Sequence, residues 1–473
     1  MSKTFFFYDL ETSGLNPRDS RIMQFAGQRT DLELNKIGNP VNLMVRMTDD
    51  TLPSPEALMV TGITPQQTIE SGYSEAEFAR MLINEIFIPD TIVVGYNNIR
   101  FDDEFIRHLL WRNFFDPYEW SYKDGRSRWD ILDIVRMTRA LRPEGINWPV
   151  DPKSGVAINT LESIAKENGV DHLKAHDAMS DVEALIGVAK IIHEKQPQLF
   201  DYLLRMRDKN EVKKLVNLDN KQPFVYASGR YDSSYNKTTV AFPLTSGKNG
   251  NIIVYDLRYD PTPFLKMSSG DLAKKIFAKW EERQADGFVP IPVKDLQYNR
   301  APAVAPVGVL TQNDGWQKIA LDEATISKHR DLLVANPTFA ENIRSIFENR
   351  EEYKKSSDPE AQLYDSFVPD TDKIRIEAVR NASERDLADF HPNFIDERLV
   401  GLLLHYKARN FPKSLAEEEV TVWENWRISH INAQLESFGQ SMQKLARSGL
   451  DDDKAFILQE LQLWAESILP AEF

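Results

Sequence analysis

Cysteine is absent from the 473 residues. That excludes a disulfide framework, a thiolate metal site and a cysteine nucleophile, and it suits a reducing compartment. No run approaches the roughly 20 apolar residues that a membrane span requires. Met1-Ser2-Lys3-Thr4 leads straight into Phe5-Phe6-Phe7-Tyr8 and then charged residues, which is not the pattern of a secretory leader. The expectation is a cytoplasmic protein with no membrane partner. Basic charge is also in deficit, with 57 Lys+Arg against 72 Asp+Glu and a net charge of −15. Such a balance argues against a nucleic-acid coat over the whole surface. The deficit is uneven, however: residues 351–473 hold 14 basic and 24 acidic side chains, and the rest is nearly balanced. A local basic groove in the earlier part is compatible with that distribution.

What is present is an ordinary globular composition, 42% apolar and 27% charged, without repeats or low-complexity tracts. Residues 5–10 and 91–96 read as short apolar strands, and 105–114 and 182–193 carry helical periodicity. This alternation predicts an α/β domain over residues 1–196, its last helix ending near Gln196-Pro197. From about Pro223 β-rich runs take over at 224–226, 238–242 and 252–255, with 247–251 as a turn. Proline-punctuated strands through 289–309 predict a small, mostly β module with some helix over 197–350. Residues 351–473 read as helical, with Leu399, Leu402, Leu403 and Tyr406 at helical spacing. The charged stretch 348–360 looks like a linker.

Three short segments carry chemistry. Asp9-Leu10-Glu11-Thr12 follows the first strand, and strand side chains at i and i+2 share a face, so Asp9 and Glu11 point the same way. Two carboxylates on one face repel, and burial penalises both charges. A divalent cation resolves that conflict. The second segment, 95–104, runs from strand through loop into helix and puts Asp102 at the junction. There it is either a helix N-cap or a carboxylate facing the crevice at the sheet's edge. In the third, His176-Asp177-Ala178-Met179-Ser180-Asp181 precedes the amphipathic helix of Val182, Leu185, Ile186, Ala189 and Ile192. Five residues are about 140° out of phase on a helix, so His176 is expected on the approach loop and Asp181 on the helix. Singly each segment has an ordinary reading; in this order they are far more specific.

The set Asp-x-Glu, Asn-x-x-x-Asp and His-x4-Asp resembles the DEDD exonucleases of the ribonuclease H-like fold, in the subgroup whose third motif carries histidine. Segments 95–104, 113–118, 127–130, 141–148 and 176–181 are similar to bacterial exonuclease I, as is Tyr406-Lys407-Ala408-Arg409-Asn410-Phe411-Pro412. The likeness spans the whole chain, whereas oligoribonuclease and the polymerase proofreading subunit are similar to its first domain alone. The resemblance implies three parts: a ribonuclease H-like α/β exonuclease domain (1–196), an SH3-like β-rich domain (197–350) and an all-α C-terminal domain (351–473). It implies a monomeric hydrolase of DNA repair and recombination that removes 5′-mononucleotides from single-stranded DNA in the 3′→5′ direction. A non-catalytic adaptor on the same fold and an RNA-directed exonuclease are the alternatives.

Phosphodiester hydrolysis needs an activated water and stabilisation of the phosphoryl and leaving oxygens, which two Mg²⁺ ions about 3.5–4 Å apart can supply. By the family pattern Asp9, Glu11 and Asp181 hold one ion, and Asp9 and Asp102 help hold the second; Mn²⁺ is an expected substitute. His176, ordinarily titrating near about 6.5, is suited to take the water's proton. Cations and aromatics interleave from Arg107 to Arg136, as in a surface that stacks bases without regard to sequence. Arg107, Tyr118, Tyr122 and Arg136 are the expected DNA contacts, together with Glu11 at the cleaved end, while Trp111, Trp120 and Trp129 suit a core. Thr160, before a predicted helix at 161–167, could present an N-terminal phosphate site, with a hydroxyl where a relative would carry a cation. The resemblance further implies binding of the acidic C-terminal tail of single-stranded DNA-binding protein, with Arg142 and Tyr202 as contacts. The downstream modules are expected to serve grip, so that a fragment ending near Phe200 would still act on short oligomers.

Overall fold

The computed structural model describes residues 3–170, 177–350 and 355–469. They fall into two compact units, neither contiguous in sequence: the described residues of Met1–Ser127, His172–Glu183 and Lys354–Phe473, and those of Arg128–Asp171 and Ala184–Tyr353.

The first unit is built on strand β1 (Thr4–Thr12), longer than its apolar run suggests. Its alternation places Phe6, Tyr8 and Leu10 in a core with Phe25, Phe78, Phe87, Phe105 and Leu109. Asp9 and Glu11 therefore leave by the other face. β2 (Ile22–Thr30) pairs antiparallel with β1, β3 (Lys36–Met44) antiparallel with β2, and β4 (Thr91–Gly95) parallel with β1. Within this unit the strand order is β3-β2-β1-β4, and β5 (Ser127–Asp130) follows in the chain where the second unit begins. Every residue of β4 is buried, as expected of a parallel strand covered on both faces. The C-terminal helices complete this unit. Leu399, Leu402 and Tyr406 share a core with Ala76, Trp111 and Phe114, and Ile431, Leu461 and Trp464 share another with Met23, Leu52 and Leu58.

The second unit holds helix Ile131–Leu141, helix Leu161–Glu167 and an antiparallel sheet of order β10-β6-β7-β8-β9. Its strands are β6 (Phe224–Ala227), β7 (Thr238–Ser246), β8 (Ile252–Asp256), β9 (Val293–Leu296) and β10 (Ala303–Pro306). The predicted runs all fall on strands. The helical part of this region is larger than expected, with helices Glu323–Val334 and Pro337–Glu348 following the sheet. Glu360 departs from the linker reading, because it is 1% exposed. Among the described residues no helix is long and apolar enough to cross a membrane.

Candidate active site

Glu11 opposes Gln24 across the β1–β2 ladder, and the register then slips so that Thr12 opposes Ile22. This bulge ends regular pairing beside the two carboxylates. Helix Ala178–Lys195 brings Asp181 to them in its first turn, and the Asp177 carboxylate caps its start by accepting the Ser180 N–H at 3.1 Å. Asp9, Glu11 and Asp181 each offer an oxygen within 4.8 Å of the other two. Burial, and then the charges of Asp181, Asp102 and Asp177, push the Glu11 carboxyl up to about 8. Burial, followed by Asp102, Asp181 and Glu11, holds Asp9 well above the carboxylate range. Four carboxylates so placed do not all ionise without a countercharge. An all-oxygen donor set of this kind fits a hard divalent cation. A cleft of about 660 Å³ is lined in part by Gln24, the cross-strand partner of Glu11, and by Ile63, Gln67 and Asp177. His176 lies outside the described residues.

The approach to Asp102 explains its motif. A Cβ on Gly95 would lie 2.5 Å from that of Asn98, so the turn leaving β4 requires glycine there. Asn97 follows with φ 66°, a conformation asparagine adopts more readily than most residues. Asp102 and Asp103 then open helix Asp102–Arg112. Asp102 is not the N-cap: Phe101 holds that position and no side chain caps the helix. Its carboxylate instead acts on Asp9 and Glu11. Asp103, fully buried, accepts from the Tyr8 hydroxyl at 2.7 Å and the Asn98 amide at 3.2 Å.

A second group with metal-ligand spacing, Asp358, Glu360 and His405, has different surroundings. Glu360 lies 3.1 Å from Arg21 and pairs with Arg409, which also binds Asp50 at 2.8 Å. Burial opposes ionisation of Glu360 and Asp50, but Arg409 and Arg21 outweigh it and hold both below the usual range. Guanidinium groups already supply the countercharge, so this is a buried ionic joint rather than a metal centre.

The expected DNA contacts divide between the units. In the first, Arg107 is 9% exposed, paired with Glu104 at 2.8 Å and set 5.6 Å over the Tyr118 ring. Tyr118 is half-buried beside Tyr364 and Phe367, and Tyr122 is exposed. Tyr364 and Phe367 escaped the sequence reading, although Phe367 is 84% exposed; the only signal was two aromatics just after the charged stretch. In the second unit, Arg136 pairs with Asp133 at 2.5 Å, and a Cβ on Gly229 would meet its guanidinium at 3.0–3.1 Å. Thr160 is exposed and caps helix Leu161–Glu167 by accepting the Ser163 N–H at 3.4 Å. Arg142 reaches the Gln312 side chain at 3.3 Å, and Tyr202 is half-buried near Arg205. Part of the interleaved stretch is not a binding surface. Arg112 is buried against Glu75 at 2.7 Å, Arg128 is buried, and Trp111, Trp120 and Trp129 are core residues.

The chain matches the family model described as exonuclease over residues 6–189, the exonuclease I SH3-like domain over 207–349 and the exonuclease I C-terminal domain over 357–468. It is 38% identical over 470 residues to exodeoxyribonuclease I of Haemophilus influenzae, covering 98% of this chain and 99% of that one. Escherichia coli exonuclease I in complex with a dA16 oligonucleotide superposes with a TM-score of 0.95 at 36% identity, covering 99% of this chain and all of that one. A zinc-bound form of the E. coli enzyme with single-stranded DNA (TM-score 0.93) and a structure of SSB/exonuclease I with an inhibitor (TM-score 0.91) are each 35% identical. Each spans 99% of this chain and 100% of its own. Likeness at this level from end to end, with Asp9, Glu11, Asp102 and Asp181 in the order of the motifs, means that this chain belongs to the exodeoxyribonuclease I family.

Proposed function

We propose that this chain hydrolyses single-stranded DNA from the 3′ end, releasing 5′-mononucleotides, with two Mg²⁺ ions, replaceable by Mn²⁺, held by Asp9, Glu11, Asp102 and Asp181. The observation that carries this reading is the convergence of Asp9, Glu11 and Asp181 within 4.8 Å, with Glu11 pushed up to about 8 by burial and the neighbouring carboxylates. Asp9, Glu11 and Asp181 hold one ion; Asp9 and Asp102 share the second. When bound, the ions stabilise charge on the phosphoryl and leaving oxygens. His176 takes the proton of the attacking water, and Glu11 also contacts the terminal nucleotide.

Tyr118 and Tyr122 stack bases, joined by Tyr364 and Phe367, whose exposure supports that role. Arg107, set over the Tyr118 ring, contacts the DNA there, while Arg136 and the helix start at Thr160 take phosphates. Arg142 and Tyr202 receive the acidic C-terminal tail of single-stranded DNA-binding protein. The enzyme works as a cytoplasmic monomer in DNA repair, its functional modules being residues 1–196, 197–350 and 351–473.

The test is a single strand labelled at one end, incubated with Mg²⁺. A 3′ label should appear at once as free mononucleotide, and a 5′ label should stay on a shortening ladder. Early release of the 5′ label would overturn the direction, and equal hydrolysis of an RNA strand of the same sequence would overturn the substrate.

A further inference from the structure

Tyr8 precedes Asp9 and Asp103 follows Asp102, so each stands next to one of the carboxylates assigned to the second ion. The Tyr8 hydroxyl donates to Asp103 Oδ1 at 2.7 Å, between side chains 1% and 0% exposed. We propose that Tyr8 is a positioning residue: through its hydrogen bond to Asp103 it fixes the separation of Asp9 and Asp102, and so sets the affinity for the second cation. This rests on the metal-binding reading above.

Successive strand side chains point to opposite faces, so while Asp9 faces the site Tyr8 enters the core. There its ring lies 5.9 Å from both Phe25 and Phe87, and it cannot swing away. Successive helical residues are about 100° apart, which lets Asp102 face the site while Asp103 turns toward Tyr8. The helix start has no side-chain cap, and Asp103 ties its first turn to β1. Asn98 donates to the same oxygen at 3.2 Å, holding the preceding turn in the same knot. Asp9 and Asp102 repel each other, and the Tyr8–Asp103 bond is a restraint that opposes their separation.

Two measurements on Tyr8→Phe test this: Mn²⁺ binding to the DNA-free protein by calorimetry, and cleavage rate against Mn²⁺ concentration. The weaker Mn²⁺ affinity should fall about 10-fold, the low end of what losing an outer-shell hydrogen bond costs, since Asp103 neighbours a ligand without being one. Saturating Mn²⁺ should restore kcat, and the melting temperature should move little. Unchanged affinity, or a kcat that saturating metal does not restore, would overturn the proposal. Asp103→Asn keeps the accepting oxygen and should bind Mn²⁺ nearly as the wild type does. A loss larger than that of Tyr8→Phe would assign the effect to the charge of Asp103 and overturn it too. If Asp9→Asn left Mn²⁺ binding intact, the metal-binding reading itself would fail instead.

Discussion

Glu11 is the residue at which burial and like charge meet most directly. An unfolded chain releases the glutamate proton near 4.5, but the folded, metal-free protein keeps it up to about 8. Between those values the folded state holds the extra proton, so metal-free stability falls as pH rises through that window. Glu11→Gln should therefore raise the metal-free melting temperature at pH 8 and leave it nearly unchanged at pH 5, while abolishing cleavage. A scan at both pH values checks this. His176→Ala should lower turnover by about 10²–10⁴-fold, the usual contribution of a general base. Its single-strand affinity in Ca²⁺ should hold, and higher pH should restore part of the rate. Gly229 offers a third test. Its backbone is outside the left-handed region, so conformation does not demand glycine, but a side chain there would crowd the Arg136 guanidinium. Gly229→Val should displace that group and reduce the salt slope of single-strand binding by about 0.7, one phosphate contact. Arg136→Ala sets the comparison, and a valine variant with the wild-type slope would separate Gly229 from DNA binding.

At the scale of elements, the joint among Arg21, Asp50, Glu360 and Arg409 ties β-sheet and helical domain within one unit. Removing one charge from a buried pair strands its partners, at a cost of about 3–5 kcal/mol. Glu360→Gln should lower chemical stability by that amount, measured by urea unfolding, without altering the metal site. None of this joint was readable in the sequence. Arg21 and Glu360 are 339 residues apart, and a charged stretch reads as solvent-facing unless its partners are known. The same blindness made Arg112 look like a surface cation, although Glu75 buries it. Local pattern did carry β1, β4, the second sheet and the converging carboxylates, because alternation and motif spacing are short-range properties. β3 was invisible for the opposite reason. Lys-Ile-Gly-Asn-Pro-Val-Asn-Leu-Met contains the turn-formers Gly38 and Pro40, and only pairing with β2 makes it a strand. In β2, Gly27 reads as a strand-breaker, yet a Cβ there would lie 2.3 Å from the Phe6 ring.

For the whole molecule, the grouping of residues 1–127 with the C-terminal helices changes what truncation should do. A fragment ending near Phe200 loses the helices that cover Met23, Leu52, Leu58, Trp111 and Phe114. It also strands the Thr51 carbonyl, which accepts from the Trp464 indole at 3.0 Å in the full chain. Such a fragment should be aggregated or molten, and so inactive even on short oligomers; near-UV circular dichroism and sedimentation check this. A soluble, cooperatively folded fragment would contradict the dependence. The same feature has a consequence during synthesis. Ser127 and Lys355 belong to one compact unit but leave the ribosome at different times. At about 5–20 residues per second the interval is roughly 10–45 s, in which the first sheet waits with apolar surface open to chaperones. The nascent enzyme thus cannot close its first unit until the C-terminal helices have been made, so half-made copies should lack nuclease activity.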